Sequence, residues 1–460
     1  MRYLHLLVLL LYGCSGVPVG EPDVVPLTSE PVWSEEAFRQ HLRVLGSEAL
    51  GGRMTGTRGY LQAAGYVEAQ WRLALLQPVT ETSFKRLYPV QVRVPRRIRV
   101  QMSARDSLFF VPGLEVMPDP GTGGGTRVAR QLTTLRDSSL TLSGAAVMVP
   151  DSAFHEGMAA EVAARGGEVL LVVGELWPGV RGMPEAPLPI VRIRLEAAMR
   201  LAGLSRDGLL RWMQGTKRRR LFADLVVTVE HEASPYVWGL NLLGFVAGQH
   251  PVPARELVIV CAHLDGPGQP AGVRVYDPTR SGAAAAAVIE LARRFSSMAH
   301  WTDLPERTIL FALWSGSTFD HAGLRAYLQA PSWPLDRTRS VIYLGLERDE
   351  VAAVRALLAP YDVPLEAVVV PDSLYETRRP VLVPEPAWLA YARRYRPDLP
   401  RPEPPDDDLA LEHAVQRALY LAGVGERHLL RESEAYDPLW SRPPAEPPPV
   451  RADTTLNRTR

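Results

Sequence analysis

Apolar residues recur along the chain with different periods, and each period predicts a different element. After Ser34, whose hydroxyl can cap a helix and which is followed by Glu35 and Glu36, residues Phe38, Leu42 and Leu45 recur at helical spacing. A second helical stripe runs through Ala63, Tyr66, Val67 and Trp71, beyond the glycine-rich stretch 51–59. From about 86 to 230 the runs become short and β-like. There, 140–149 reads as a strand, 153–165 as a helix stopped by Gly166-Gly167, and Val169–Val173 and 189–193 as further strands. From about 236 the texture is α/β: apolar runs at 237–246, 257–262, Thr308–Trp314 and 340–346 read as strands covered on both faces, with an alanine-rich helix over 282–295. A helix over 408–422 follows a Pro- and Asp-rich linker, and the Pro-rich stretch after Ser441 predicts a disordered tail.

This order predicts an α/β chain: a three-layer domain with a central mixed, mostly parallel sheet, made from 33–85 and 231–440, and a smaller β-rich inserted domain over 86–230. A length of 460 residues suits two domains, and 46% hydrophobic with 22% charged residues is a globular composition. The formal net charge of +0 gives no overall field that would favour nucleic acid or an anionic membrane, and nucleic acid is not expected as a partner. Basic side chains are almost all arginine, Lys85 and Lys217 being the only lysines, and the run Lys217-Arg218-Arg219-Arg220 reads as a solvated face rather than a phosphate patch. With two cysteines, Cys14 and Cys261, there is no disulfide framework. Cys14 closes the stretch Leu11-Tyr12-Gly13-Cys14 after Arg2 and the short apolar run 6–11. That pattern resembles a bacterial lipobox, with cleavage before a lipidated Cys14, residues 15–32 as a tether, and a mature domain held by lipid to the cell envelope outside the cytoplasm.

Four segments carry a family resemblance. They are 41–45 followed by Gly52-Arg53-Met54-Thr55-Gly56-Thr57; Cys261-Ala262-His263-Leu264-Asp265; Asp277-Pro278-Thr279-Arg280-Ser281-Gly282-Ala283; and 308–327, which includes Ser315-Gly316-Ser317-Thr318 and then Gly323-Leu324-Arg325-Ala326-Tyr327. In this order and spacing the chain resembles the co-catalytic zinc aminopeptidases, the family that also holds glutamate carboxypeptidase and the non-enzymatic transferrin receptor. The resemblance implies a zinc-exopeptidase-like three-layer fold, and the 86–230 segment resembles a protease-associated domain.

In that family two neighbouring zinc ions activate a bridging water, and a carboxylate base takes its proton. The resemblance puts His263 at a metal-ligand position, Asp277 at the bridging position, and Asp265 at the carboxylate that orients the imidazole, so that His263 and Asp265 are expected to form a hydrogen-bonded pair. At the remaining positions the residue types are wrong. Ser317 stands for the general base, Thr318 for a Glu ligand and Gly345 for a strand-borne Asp. Residues 423–428 resemble the family's late strand, and Ser433 then stands for its last His. One His and one Asp fall short of a catalytic zinc ligand set. Glu347, Asp320, His321, His428, Glu432 and Glu434 lie near enough in sequence to serve as replacement ligands, Glu347 by sharing the strand face of Gly345. Ser315-Gly316-Ser317 also lies near His263 and Asp265, but the Gly-x-Ser-x-Gly elbow of a serine hydrolase is absent.

Three functions compete. The first is a pseudopeptidase that needs no cofactor and binds a peptide, protein or glycan. The second is an active zinc-dependent peptidase with remodelled ligands. The third is a purely structural envelope lipoprotein.

Overall fold

The computed structural model describes residues 33–92, 94–103, 108–136, 141–155, 157–176, 186–232, 236–276, 280–301, 305–371, 374, 381–400 and 407–434. Cys14 with the expected signal and tether, Asp277, and the expected tail from 435 lie outside them. In chain order α1 (Glu35–Leu45) and α2 (Arg58–Leu73) precede β1 (Gln77–Pro78) and β2 (Lys85–Gln91). Next come β3 (Pro95–Ser103), β4 (Leu108–Phe110), β5 (Val116–Pro118), β6 (Gly125–Thr133), β7 (Ala145–Pro150), α3 (Met158–Ala164), β8 (Val169–Val173), β9 (Ile190–Ile193), α4 (Leu195–Ala202), α5 (Arg206–Met213) and β10 (Arg219–His231). The remainder is β11 (Tyr236–Val246), β12 (Leu257–His263), β13 (Arg274–Tyr276), α6 (Arg280–Trp301), β14 (Thr308–Trp314), α7 (Ala322–Gln329), β15 (Thr338–Leu344), α8 (Arg348–Leu358), β16 (Leu365–Val368), β17 (Val381–Val383), α9 (Pro386–Tyr395) and α10 (Asp407–Glu434).

Two sheets organise these elements. The first runs β1-β11-β14-β12-β15-β16, with β2 also beside β11. Strands β14, β12, β15 and β16 are mutually parallel, and β11 runs antiparallel to β14. The second is the mixed eight-stranded sheet β4-β3-β10-β6-β7-β8-β9-β5 of the inserted segment. Because β2 pairs along its length with β11, the departure into the second sheet comes after Gln91 rather than at 86.

The central strands of the first sheet are apolar throughout because both of their faces are covered, so neither alternate position meets water. One face carries Cys261, Trp314, Val341 and Tyr343 against α7 and α8. The other is packed by α6, which in turn packs on α10 and α1. Ala283 to Ala287 are all buried, and their small side chains let α6 approach the sheet closely. Helix α1 starts where the sequence places it: Ser34 accepts a hydrogen bond from Ala37 N. A buried polar link then ties α1 to its neighbours, His41 lying 2.8 Å from the Tyr66 hydroxyl of α2 and 3.0 Å from Glu290 of α6.

Two expectations fail here. The strand and loop expected over 423–437 are absent from the described part of that span, because α10 continues to Glu434. Ala410, Ala414, Val415, Ala418, Leu421, Ala422 and Leu429 keep one helical face buried, and Gly423 and Gly425 lie inside the helix instead of ending it. The last described strands are β16 and β17, and Ser433, expected on a loop after a late strand, is on α10. The second failure is at β15, which stops at Leu344: Gly345 turns to a φ of +74° and the chain leaves the sheet. Glu347 therefore does not share the strand face, and instead caps α8 in a reciprocal box with Glu350.

Candidate functional site

Four parallel strands deliver their carboxyl ends to one edge of the sheet, the usual place for a ligand crevice in open α/β sheets. Here β12 ends at His263, opposite Trp314 of β14, and Cys261 is opposite Tyr343 of β15. Residues two apart share a face, so His263 and Tyr343 emerge on the same side of the sheet.

The loop after β14 closes this edge. Ser315 is fully buried; its Oγ lies 2.8 Å from the Tyr88 hydroxyl and accepts from Leu240 N at 3.0 Å. Asn241 accepts from Ser315 N at 3.2 Å and donates to Gly323 O at 2.8 Å, so β11, β14 and α7 share one polar staple. Gly316 is required by its surroundings. Its φ is +74°, and a Cβ there would lie 2.9 Å from both Ala322 Cβ and the Tyr88 hydroxyl. Asp320 and His321 follow with φ of 53° and 55°, two successive non-glycine residues in the left-handed region. Such strain persists only where neighbours over-determine it, and it brings the His321 ring over His263.

His263, His321 and Tyr343 form the cluster at the edge. His263 Nε2 lies 3.2 Å from His321 Nδ1 and 2.8 Å from the Tyr343 hydroxyl, which is also 3.2 Å from His263 Nδ1. The imidazoles stack at 5.2 Å between centroids. Burial, and then the neighbouring His321, hold His263 far below the usual histidine range; burial also lowers His321. Both rings are therefore neutral at physiological pH. Burial likewise pushes the Tyr343 phenol well above its usual range.

Asp265 does not pair with His263. Its carboxylate turns towards the glycine-rich turn and the β14 loop, accepting from Thr55 Oγ1 at 2.9 Å and from Ser317 N at 3.0 and 3.2 Å. Thr55 in turn accepts from Gly316 N at 2.7 Å. The reason is competition: backbone and hydroxyl donors fill the carboxylate, while the imidazole finds partners in His321 and Tyr343. Burial raises Asp265 to about 6 despite hydrogen bonds that favour its charged form.

At the general-base position Ser317 offers a hydroxyl in place of a carboxylate, and its backbone N–H donates to Asp265. Thr318 Oγ1 is buried with no hydrogen-bond partner among the described residues. At Gly345 there is no room for a side chain, since a Cβ would meet Ala284 Cβ at 2.7 Å. Of the replacement ligands whose side chains are described, only His321 reaches His263. Asp320 supplies its backbone carbonyl to Arg325, His428 lies 3.8 Å from Glu366, and the Glu432 carboxylate pairs with Arg431. The side chains of Ser433 and Glu434 lie outside the described residues, as does Asp277. Among the described residues no three His, Cys, Asp or Glu side chains converge as a metal-ligand set.

The described residues do not by themselves fit a two-zinc centre. The Gly345 position admits no carboxylate, and Thr318 offers an alcohol in place of one. A Ser–His–Asp arrangement is not formed either, because Ser315 Oγ bonds to Tyr88 and Leu240 N rather than to an imidazole, and Asp265 accepts from Thr55 and Ser317 N rather than from His263. Tyr343 is the member of the cluster that the sequence reading missed. Its signal was the period-two relation to Gly345 and the parallel register with Cys261, which becomes readable only once strand order is known.

No protein-family model and no curated protein matches the chain. Solved structures do. An aminopeptidase from Aneurinibacillus sp. strain AM-1 aligns with a TM-score of 0.54 at 12% identity over 86% of this chain and 94% of its own. The zinc aminopeptidase BSAP from Bacillus subtilis aligns at 0.54 and 12% identity, over 87% and 95%. A peptidase M28 precursor from Shewanella amazonensis SB2B aligns at 0.51 and 13% identity, over 88% and 98%. Identities this low report architecture alone, and the architecture of this protein is the fold of the zinc aminopeptidases.

Proposed function

We propose that the protein is a degenerate aminopeptidase-fold lipoprotein of the bacterial cell envelope, anchored through Cys14, that works by binding or as a structural part rather than by peptide hydrolysis. The observation that carries this reading is the closed position at Gly345, where a Cβ would meet Ala284 Cβ at 2.7 Å and no carboxylate ligand can stand. The missing base at Ser317 points the same way. On this reading the inserted sheet is a protease-associated-like module, no cofactor is required, and the ligand is a peptide, protein or glycan. The alternative is a metallopeptidase with remodelled ligands. It is favoured by the 3.2 Å between His263 Nε2 and His321 Nδ1, a separation that two nitrogens on one ion can adopt.

Aminoacyl-anilide and peptide hydrolysis, assayed with added zinc or cobalt, separates the two. The proposal expects no turnover above buffer, and the His263→Ala variant should be indistinguishable from the parent. Turnover that His263→Ala abolishes would establish the metallopeptidase instead.

A further inference from the structure

Between α5 and the start of β10 the chain concentrates positive charge. Residues 206–224 hold six basic side chains (Arg206, Arg211, Lys217, Arg218, Arg219 and Arg220) against two acidic ones (Asp207 and Asp224), in a protein whose formal net charge is +0. The run is held in place. Trp212 Nε1 donates to Lys217 O at 2.9 Å, Arg219 Nε donates to Ala202 O at 2.5 Å, and Arg218 donates to Thr141 O. Lys217, Arg218, Arg220 and Arg211 are exposed.

Beside this run the edge of β10 bulges. Arg220 pairs with Gln131 and Leu225 with Ala129, so four residues, Leu221 to Asp224, oppose Arg130 alone. Leu221 turns into the core of the inserted sheet, and Phe222 is left 70% exposed. A large aromatic held outward by a bulge, with a run of cations before it in the chain, matches the chemistry of a surface that meets a lipid headgroup layer, where the ring sits at the interface and the cations lie against phosphates. A soluble polyanion would account for the arginines but gives the exposed Phe222 nothing to bury against.

We propose that the 217–224 segment is a membrane-contact surface that binds anionic lipid headgroups, with Phe222 at the interface and Lys217, Arg218 and Arg220 against the phosphates. The inference rests on the envelope reading only for which membrane is met, and its test leaves out the anchor. The described residues from Ser34 onward belong to one compact unit, so a chain beginning at Ser34 can be tested by co-sedimentation with vesicles. The expected result is binding to phosphatidylcholine vesicles containing phosphatidylglycerol, release by salt, and no binding to phosphatidylcholine alone. Each basic residue at an anionic surface contributes roughly a factor of five, so Arg218→Ala with Arg220→Ala should weaken binding about 25-fold. Phe222→Ser should weaken it with the salt dependence retained and the melting temperature unchanged. Absence of binding to the anionic vesicles would overturn the proposal, as would binding that neither variant weakens. Binding to heparin with Phe222→Ser silent, and none to vesicles, would assign the surface to a polyanion.

Discussion

At Asp265 burial and hydrogen bonding compete directly. Burial raises the folded carboxyl to about 6, while an unfolded aspartate titrates near 4. An acid whose folded value is raised contributes stability that is full below the unfolded value and is lost as pH climbs through the folded one. The ionised side chain therefore costs the fold about 3 kcal/mol above pH 6 relative to its protonated form. Asp265→Asn should remove this slope between about pH 4 and 6, and the variant should be more stable than the parent at pH 7.5, both read from urea melts across pH. His263 and His321 act in the opposite sense, since their lowered folded values make stability fall as pH drops below the usual histidine range. Gly345 gives a second prediction. Gly345→Asp would rebuild the family's residue type at a position with φ of +74° and Ala284 Cβ at 2.7 Å from the new Cβ, so it should cost about 2–4 kcal/mol in the same melts and recruit no metal. The sequence identified the residue types at 263, 265, 317, 318 and 345 but not their partners. Asp265 prefers Thr55, a residue 210 positions earlier in the chain, and no local pattern reports such a choice.

Among the elements, those legible in the sequence were the ones whose period is dictated by burial. The apolar runs of β12 and β14 and the capped α1 follow directly from sheet coverage and from Ser34. The errors came where a glycine was read by its commonest role. Gly423 and Gly425 were expected to break a helix and lie inside α10, while Gly345 was expected to continue a strand and ends it. In each case tertiary packing decided: α10 keeps its buried face through the glycines, and α6 crowds the end of β15. The link between α1, α2 and α6 makes a prediction at this scale. Although burial pushes Glu290 up, hydrogen bonds from His41 and Arg293 hold it below the usual carboxylate range. His41→Leu removes one of those partners from a nearly buried carboxylate and should destabilise the protein by about 2–4 kcal/mol, seen as a lower thermal midpoint.

For the whole molecule, the proposal separates fold from chemistry. A chain only 12% identical to BSAP keeps its architecture because buried pattern, strand order and close helix–sheet contacts survive wide substitution. A two-metal site does not survive in that way, since each ligand is a specific atom at a specific point. Here the strand ends are joined by neutral rings: His263 stacked with His321 and hydrogen-bonded to Tyr343. The central claim is that the protein works without a two-zinc centre. Its most direct test is the metal content of the purified chain from Ser34, measured by elemental mass spectrometry after equilibration with zinc and dialysis into buffer. The account predicts substoichiometric zinc, unchanged in Tyr343→Phe. Close to one or two zinc ions retained per chain, and lost in His263→Ala, would contradict it.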